Sequence, residues 1–175
     1  MPELNYDLHI HSCLSPCGDD DMTPANIVGM AVIKGLDLIA VTDHNSCKNC
    51  PAVLTMADAY GLTALPGMEL TTSEEVHVVC LFADLKDALA FDEYVYSRLM
   101  PIPNNEKIFG KQQLYNANDE VIGTIPNLLI NATDISFDDV FDLTKDYHGI
   151  MIPAHIDKTA RCSTARSNTC AATKR

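Results

Sequence analysis

The 175-residue chain has no apolar run of the roughly 20 residues that a membrane-spanning helix needs. Its start, Met1-Pro2-Glu3-Leu4-Asn5, has neither the basic nor the apolar region of a signal peptide. We therefore expect no membrane partner and a cytoplasmic location. Hydrophobic residues still make up 47% of the chain, enough for one domain with a real core.

Basic residues are also scarce, with 12 Lys and Arg against 24 Asp and Glu, a formal net charge of −12. This balance argues against non-specific binding to nucleic acid or anionic lipid. It also repels a phosphorylated substrate at long range, so bound cations would have to supply any local positive field. Lys48 and Lys158 are the only basic residues next to the motifs below.

Cysteine occurs seven times, an odd count without a secretory signal, which favours reduced thiols. Cys47-Lys48-Asn49-Cys50 has the spacing of a redox dithiol at a helix start. Zinc binding shared with Cys13 or Cys17 is the other interpretation. A cysteine-rich zinc or redox module therefore stands as one alternative function.

Histidine marks the ends of predicted strands. In the stretch Tyr6-Asp7-Leu8-His9-Ile10-His11, side chains alternate between faces, so that Asp7, His9 and His11 share one face. Two imidazoles at i and i+2 can reach one metal ion. A second run, 36–44, also ends in carboxylate and imidazole, Asp43-His44.

The remaining pattern alternates strands and helices. Thr23-Pro24 reads as a helix start, Ser136 as an N-cap, and Gly35, Gly61 and Gly149 as helix ends. Predicted helices cover 25–34, 51–60, 85–99 and 137–146, with a short one near Gln112. Predicted strands cover 6–11, 38–41, 63–65, 76–82 and 150–155, with an extended piece at 121–122. This rhythm predicts an α/β domain with parallel strands.

In such folds the carboxyl ends of the strands gather on one rim, where sites form. Five separate segments each place a histidine or glutamate where an apolar run ends. We expect these side chains to converge on a metal site: His9, His11, His44, Glu69, His77 and His155.

The chain resembles the PHP (polymerase and histidinol phosphatase) family of metal-dependent phosphoesterases. The resemblance lies in five motifs in the family's order: Asp7-Leu8-His9-Ile10-His11-Ser12, Thr42-Asp43-His44-Asn45, Pro66-Gly67-Met68-Glu69, Val76-His77 and Pro153-Ala154-His155-Ile156-Asp157. It implies a distorted (β/α)7 TIM-like barrel over residues 1–158. It also implies that His9 and His11 hold one metal, that Glu69 bridges to a second held by His77 and His155, and that His44 belongs to a third.

The chain departs from the family pattern at two places. Cys17 stands where many relatives carry a further histidine, and thiolate can ligate zinc. The family's last motif, Asp-x-His, does not follow His155, and Asp146-Tyr147-His148 reads as a helix end at the surface. We therefore expect a barrel that is incomplete at its C-terminal end, with a disordered or non-native tail at 159–175.

The resemblance implies a hydrolase that acts on a small phosphorylated metabolite or nucleotide through two or three zinc, manganese or iron ions. Metal-activated hydroxide would be the nucleophile, and Asp43 is the candidate for a supporting or proton-handling role. Nucleic acid is expected only as a nucleotide or short oligonucleotide substrate. A catalytically impaired metal-binding remnant is the alternative, and the open sheet edge makes an oligomer possible.

Overall fold

Strands and helices alternate along most of the chain in the computed structural model, which describes residues 3–155. The strands are β1 (Tyr6–Ile10), β2 (Leu38–Val41), β3 (Thr63–Thr71), β4 (His77–Phe82), β5 (Gln113–Tyr115), β6 (Val121–Thr124) and β7 (Gly149–Pro153). The helices are α1 (Pro24–Lys34), α2 (Cys50–Ala59), α3 (Leu85–Arg98), α4 (Glu106–Phe109) and α5 (Phe137–Asp146). Five strands form one sheet in the order β1-β2-β3-β4-β7, and β5 pairs with β6 in a separate ribbon.

The predicted helix starts are confirmed by their capping contacts. Thr23 Oγ1 accepts a hydrogen bond from the Asn26 backbone N–H at the start of α1, and Ser136 Oγ accepts one from Asp139 N–H at the start of α5. Gly35 ends α1 with φ of 69°, a conformation that glycine adopts without strain.

The predicted end of α5 at Gly149 is wrong. The helix is capped at Tyr147, and Gly149 is already the first residue of β7, opposite Phe82. A Cβ at position 149 would lie 2.6 Å from the Phe82 ring, so this glycine serves close packing between strands rather than helix termination.

The expectation of a parallel sheet holds for only half of it. β1, β2 and β3 are parallel, whereas β4 runs antiparallel to β3, and β7 antiparallel to β4. Only residues 72–76 join β3 to β4, and a parallel crossover needs a dozen residues or more. The short connection therefore forces a hairpin and a mixed sheet.

Residues 101–135 also differ from the prediction. The short helix lies at α4 rather than near Gln112, which is buried with φ of 49°. Gln112 instead crosslinks the loop, because its amide donates to the carbonyls of Ile125 and Asn127 and accepts from Leu129 N–H. The extended piece at 121–122 is confirmed as part of β6.

Two apolar layers cover the outer face of the sheet. One packs β3 and β4 against α3 and α5 and includes Met68, Phe82 and Phe91. The other packs β2 against α1 and α2 and includes Val28 and Ile39. Burial of these side chains, worth about 25 cal/mol per Å² of apolar surface, fixes the sheet whose rim carries the site.

β1 and β7 are the two edges of the sheet, so residues 3–155 form a mixed α/β fold and not a closed barrel. Ile150 and Ile152 of β7 are 61% and 42% exposed, and association through such an edge stays a prediction. Residues 156–175, including Lys158 and the predicted tail, lie outside the described part of the chain. No helix within residues 3–155 is both long and apolar enough to cross a membrane.

Gly67 in β3 offers a test of this packing. In a Gly67→Ala variant the added Cβ would lie 2.8 Å from side-chain atoms of Leu81 and Thr42 and 3.0 Å from the Cys80 carbonyl oxygen. We expect the free energy of unfolding, measured by urea denaturation, to fall by about 1–3 kcal/mol.

Gly29→Ala is the matched control, because a Cβ at that position in α1 meets nothing within 4 Å. This change should raise the free energy of unfolding by about 0.5–1 kcal/mol through helix propensity. Equal effects of the two substitutions would contradict the packing of β3 between β2 and β4.

Candidate metal centre

One buried carboxylate lies at the centre of the predicted site. Glu69 belongs to β3, the middle strand of the sheet, and is only 1% exposed. Three imidazoles face its Oε1 atom: His9 Nε2 at 3.3 Å, His77 Nδ1 at 3.0 Å and His155 Nε2 at 3.2 Å. Two face Oε2: His11 Nε2 at 3.1 Å and His44 Nδ1 at 3.2 Å. The structure thus brings all six predicted ligands together.

The five imidazoles form a closed ring around that carboxylate. Neighbouring ring centroids lie 4.6–5.8 Å apart in the order His9, His11, His44, His77, His155 and back to His9. Every imidazole therefore contacts two others, and each presents a nitrogen to the same small volume.

Backbone pairing places His44 beside Glu69. Just past the end of β2, Glu69 N–H donates to the Asp43 carbonyl, and Asn45 N–H donates to the Glu69 carbonyl, both at 3.0 Å. Asn45 has φ of 47°, and its side chain binds Leu129 O and Thr71 N–H. The chain therefore turns sharply after His44 and leaves the imidazole over the carboxylate.

The antiparallel course of β4 explains why His77 belongs to the site although it begins a strand. Because β4 runs opposite to β3, its first residue lies at the rim where β2 and β3 end. Ala154 N–H donates to the His77 carbonyl, which brings the end of β7 and His155 to the same rim. The expectation that every ligand ends its strand is thus wrong for His77, which begins one, and Glu69 lies two residues before the end of β3.

The charges at the centre are strongly perturbed in the metal-free chain. Burial by itself raises the pKa of Glu69, but His11, His77 and His9 outweigh it and hold that pKa well below its usual range. Burial lowers the pKa of His11, yet contacts with Cys17 and Glu69 overcome this and raise the pKa to about 10. Without metal, Glu69 is therefore ionised and His11 protonated at neutral pH.

The residues fit a divalent metal cluster better than a set of hydrogen bonds. His77 Nδ1 is within hydrogen-bond geometry of Glu69 Oε1, whereas His9 Nε2 and Glu69 Oε2 are buried atoms with no aligned hydrogen bond within residues 3–155. Buried polar atoms are nearly always paired, so such atoms need another partner. Imidazole nitrogens sharing a carboxylate are a ligand set for zinc and similar ions. Within the described residues, three groups have ligand atoms within 4.8 Å of one another: His9, His11 and Glu69; His44, Glu69 and His77; and His11, Cys17 and His44.

Asp43, the predicted catalytic residue, is buried beneath this cluster. Its carboxylate accepts hydrogen bonds from Ser12 N–H, Ser12 Oγ and Ser15 Oγ at 2.6–2.7 Å. Burial raises the pKa of Asp43, and the bonds from Ser12 and Ser15 oppose the rise. Ser15 Oγ also lies 3.1 Å from His11 Nδ1 and accepts from His44 N–H. These contacts suit a residue that orients ligands; a role in proton handling stays a prediction.

Cys47 and Cys50 do not match either of their predicted roles. Both thiols are buried, and both donate weakly to the Gly67 carbonyl in the core. Burial, together with the neighbouring Cys50, raises the pKa of Cys47, which keeps it a thiol rather than a reactive thiolate. Within the described residues the pair shares no metal-ligand cluster with Cys13 or Cys17.

Lys48 is engaged away from the centre. Its Nζ lies 2.8 Å from the buried carboxylate of Asp92, which also accepts from Ser46 Oγ and Cys47 N–H. Lys48 therefore fastens the loop after β2 to α3 and is not free to grip a phosphate. His148 is 79% exposed and pairs with Asp87, which confirms its surface position.

A mixed α/β sheet that brings five imidazoles and one carboxylate together at one rim is typical of a metal-binding protein. The sequence matches the PHP domain over residues 7–156, and the chain belongs to the PHP domain family.

Particular relatives agree with that assignment. The chain is 34% identical over 85 residues to the 5'-3' exoribonuclease of Salmonella typhimurium, and 32% identical over 83 residues to the 3',5'-nucleoside bisphosphate phosphatase of Chromobacterium violaceum. Each match covers 46% of this chain and 28% of the relative. The lesion-specific endonuclease Q of Pyrococcus furiosus has a similar fold, with a TM-score of 0.61 at 19% identity over 91% of this chain and 36% of that one.

Glu69→Gln should weaken metal binding, because it removes the one charge shared by all five imidazoles while keeping the side-chain shape. After dialysis, we expect the metal content per chain by elemental analysis to fall, with affinity reduced by more than about tenfold. Glu93→Gln on the exposed face of α3 is the control. Unchanged metal content in Glu69→Gln would rule out the bridging role.

His11 should make the metal-free chain lose stability as pH rises. Its folded pKa of about 10 exceeds the unfolded value of 6.5, so its contribution is complete below pH 6.5 and disappears as pH approaches 10. Urea unfolding in chelator across this range should show a steeper fall for the native chain than for His11→Asn. Thiol ionisation contributes to both proteins, so equal slopes would contradict the raised pKa.

Proposed function

We propose that this chain is a metal-dependent phosphoesterase whose centre holds divalent ions on both sides of Glu69. The observation that carries the proposal is the ring of five imidazoles around one buried carboxylate. Relatives named as an exoribonuclease and a bisphosphate phosphatase support phosphoester hydrolysis as the reaction.

Glu69 and the imidazoles form two groups that would each bind one ion. One is His9 and His11 with Glu69, and the other is His44 and His77 with Glu69, the ligand atoms of each group lying within 4.8 Å of one another. His155 Nε2 lies 3.2 Å from Glu69 Oε1, with its ring between those of His9 and His77. When bound, the ions supply a hydroxide at neutral pH and neutralise charge on the phosphate oxygens. The nitrogen-rich ligand set favours zinc or iron over calcium or magnesium, and manganese is kept as a candidate because the resemblance implies it.

Neutral imidazoles and a single carboxylate would leave most of the positive charge of the bound divalent ions uncancelled. A phosphate group would therefore be attracted to this rim although the whole chain carries a net charge of −12. Lys48 is held by Asp92, so this local field comes from the metal centre rather than from a lysine beside His44.

Asp43 and Ser15 have a positioning role in this proposal. The Asp43 carboxylate accepts a hydrogen bond from the Ser15 hydroxyl, which leaves Ser15 Oγ to accept one from His11 Nδ1–H. His11 then presents Nε2, unprotonated, to the metal side of the ring. Partners that fix the tautomer of a ligating histidine are a regular feature of metal sites.

A cavity of about 150 Å³ adjoins His77 and is the proposed site for the group next to the scissile phosphate. Its lining includes Thr71, Glu75 and Asn131. Thr71 Oγ1 and Asn131 Nδ2 are buried without hydrogen-bond partners within residues 3–155. Such groups suit hydroxyls of a small metabolite, a nucleotide or the end of a short oligonucleotide.

Phosphate release tests the proposal with three substrates: a small phosphomonoester, a 3',5'-bisphosphorylated nucleoside and a short 5'-phosphorylated ribo-oligonucleotide. We expect hydrolysis of at least one, stimulated by zinc, manganese or iron and abolished by chelator. Glu69→Gln should lower the rate of phosphate release by about 10-fold or more, because it weakens the binding of the ions that supply the hydroxide. Glu93→Gln should match the native chain.

Two outcomes would oppose the proposal. Hydrolysis that persists in excess chelator would exclude a metal-dependent reaction. Stoichiometric metal binding that depends on Glu69, without hydrolysis of any substrate, would favour the catalytically impaired metal-binding remnant.

A further inference from the structure

Two polar groups beside the metal centre, the Thr71 hydroxyl and the Asn131 side-chain amide nitrogen, are buried without a hydrogen-bond partner within residues 3–155. Thr71 is only 3% exposed. Both residues line the cavity of about 150 Å³ that adjoins His77. Because buried polar groups are nearly always paired, two unpaired ones in one cavity point to a bound group as their partner.

The fold uses the backbone of these two residues and leaves the Thr71 hydroxyl and Asn131 Nδ2 unused. Thr71 N–H donates to Asn45 Oδ1, and the Thr71 carbonyl accepts from both N–H and Oγ1 of Thr133. Asn45 Nδ2 donates to the Asn131 backbone carbonyl at 2.8 Å. The cavity wall is therefore fixed by bonds in which neither of the two unpaired groups takes part.

The strand geometry sets this cavity next to the proposed ions. Thr71 follows Glu69 by two residues in β3, so both side chains lie on one face of the sheet, about 7 Å apart along the strand. Thr71 is also directly opposite His77 across the β3–β4 hairpin, and opposed residues share a face. A phosphate ester held at the Glu69 centre would thus have room for its alcohol part beside Thr71.

We propose that Thr71 and Asn131 select substrates whose alcohol carries a free hydroxyl close to the scissile ester, as in a sugar phosphate or a ribonucleotide. The inference rests on the phosphoesterase function proposed above and names the chemical group that its site prefers. The Asn131 amide nitrogen donates a hydrogen bond, and the Thr71 hydroxyl both donates and accepts, so one substrate hydroxyl can pair with both.

The charge of the cavity argues for an uncharged group rather than a second phosphate. Within residues 3–155 its lining holds one acidic residue and neither lysine nor arginine: Thr71, Glu75, His77, Ile130, Asn131 and Ala132. Proteins bind phosphate groups chiefly with arginine, lysine or helix N-termini. The second phosphate of a bisphosphorylated substrate would therefore lie outside this cavity.

Matched substrate pairs test the selection in the metal-loaded chain. The pairs are glycerol 1-phosphate and propyl phosphate, a 3',5'-bisphosphorylated nucleoside and its 2'-deoxy form, and a 5'-phosphorylated ribo-oligonucleotide and the form whose first residue is 2'-deoxy. In each pair that is hydrolysed, we expect kcat/KM to be about tenfold or more higher for the hydroxylated member.

Variants then assign the preference to the two residues. Thr71→Val and Asn131→Leu should each reduce the ratio of kcat/KM within a pair by about fivefold or more. Thr63→Val and Asn118→Leu, at exposed positions, are the matched controls and should retain the native ratio.

Urea unfolding of the metal-free chain tests the unpaired hydroxyl without any activity. Thr71→Val removes a buried hydroxyl that has no partner within residues 3–155, so the urea midpoint should stay equal or rise. Thr133→Val is the control, because its buried hydroxyl donates to the Thr71 carbonyl and accepts from Ile135 N–H, and its loss should lower the midpoint. An equal fall in both variants would show that the fold itself pairs Thr71 Oγ1 and would overturn the inference.

Failure of this inference differs from failure of the proposed function. Chelator-sensitive hydrolysis with equal kcat/KM within each pair, or a preference that Thr71→Val and Asn131→Leu leave unchanged, would overturn the selection and leave the phosphoesterase function intact. No hydrolysis of any member of the three pairs would overturn both.

Discussion

The buried Glu69 carboxylate is the interaction on which the rest of the site depends. Five imidazoles drawn from four separate strand ends converge on it, within 3.0–3.3 Å. An isolated carboxylate in the centre of a sheet would be costly, and these nitrogens, with the ions they would bind, are what make it tolerable. The sheet is arranged to deliver them, because β3 is central, β2 ends at the same rim and β4 begins there.

The mixed direction of the sheet also serves to bring the ligands to Glu69. A hairpin between β3 and β4 sets His77 at the rim by the start of a strand, and β7 returns His155 to that rim by running antiparallel to β4. β1 and β7 remain edges within residues 3–155. Asn49 then fastens the β5–β6 ribbon over the loops, donating to Ser12 Oγ and accepting from Tyr115 N–H.

Much of the site could be predicted because its ligands follow short apolar runs, a pattern visible without coordinates. The direction of β4 could also have been predicted, since even the ten residues between the predicted strands 63–65 and 76–82 are fewer than a parallel crossover needs. Ser15 and Asn49 gave no such signal, because their roles depend on hydrogen bonds across 28 to 66 residues of chain. The burial of Cys47 likewise depends on how α2 packs under β3, which no local spacing reveals.

An anomalous difference map from zinc-soaked crystals measures the central claim most directly. The account predicts separate peaks about 2.0–2.2 Å from Glu69 Oε1 and from Oε2, each also within bonding distance of the imidazoles of one group. A well-ordered Glu69 with no peak beside either oxygen, or zinc bound only elsewhere on the chain, would contradict it.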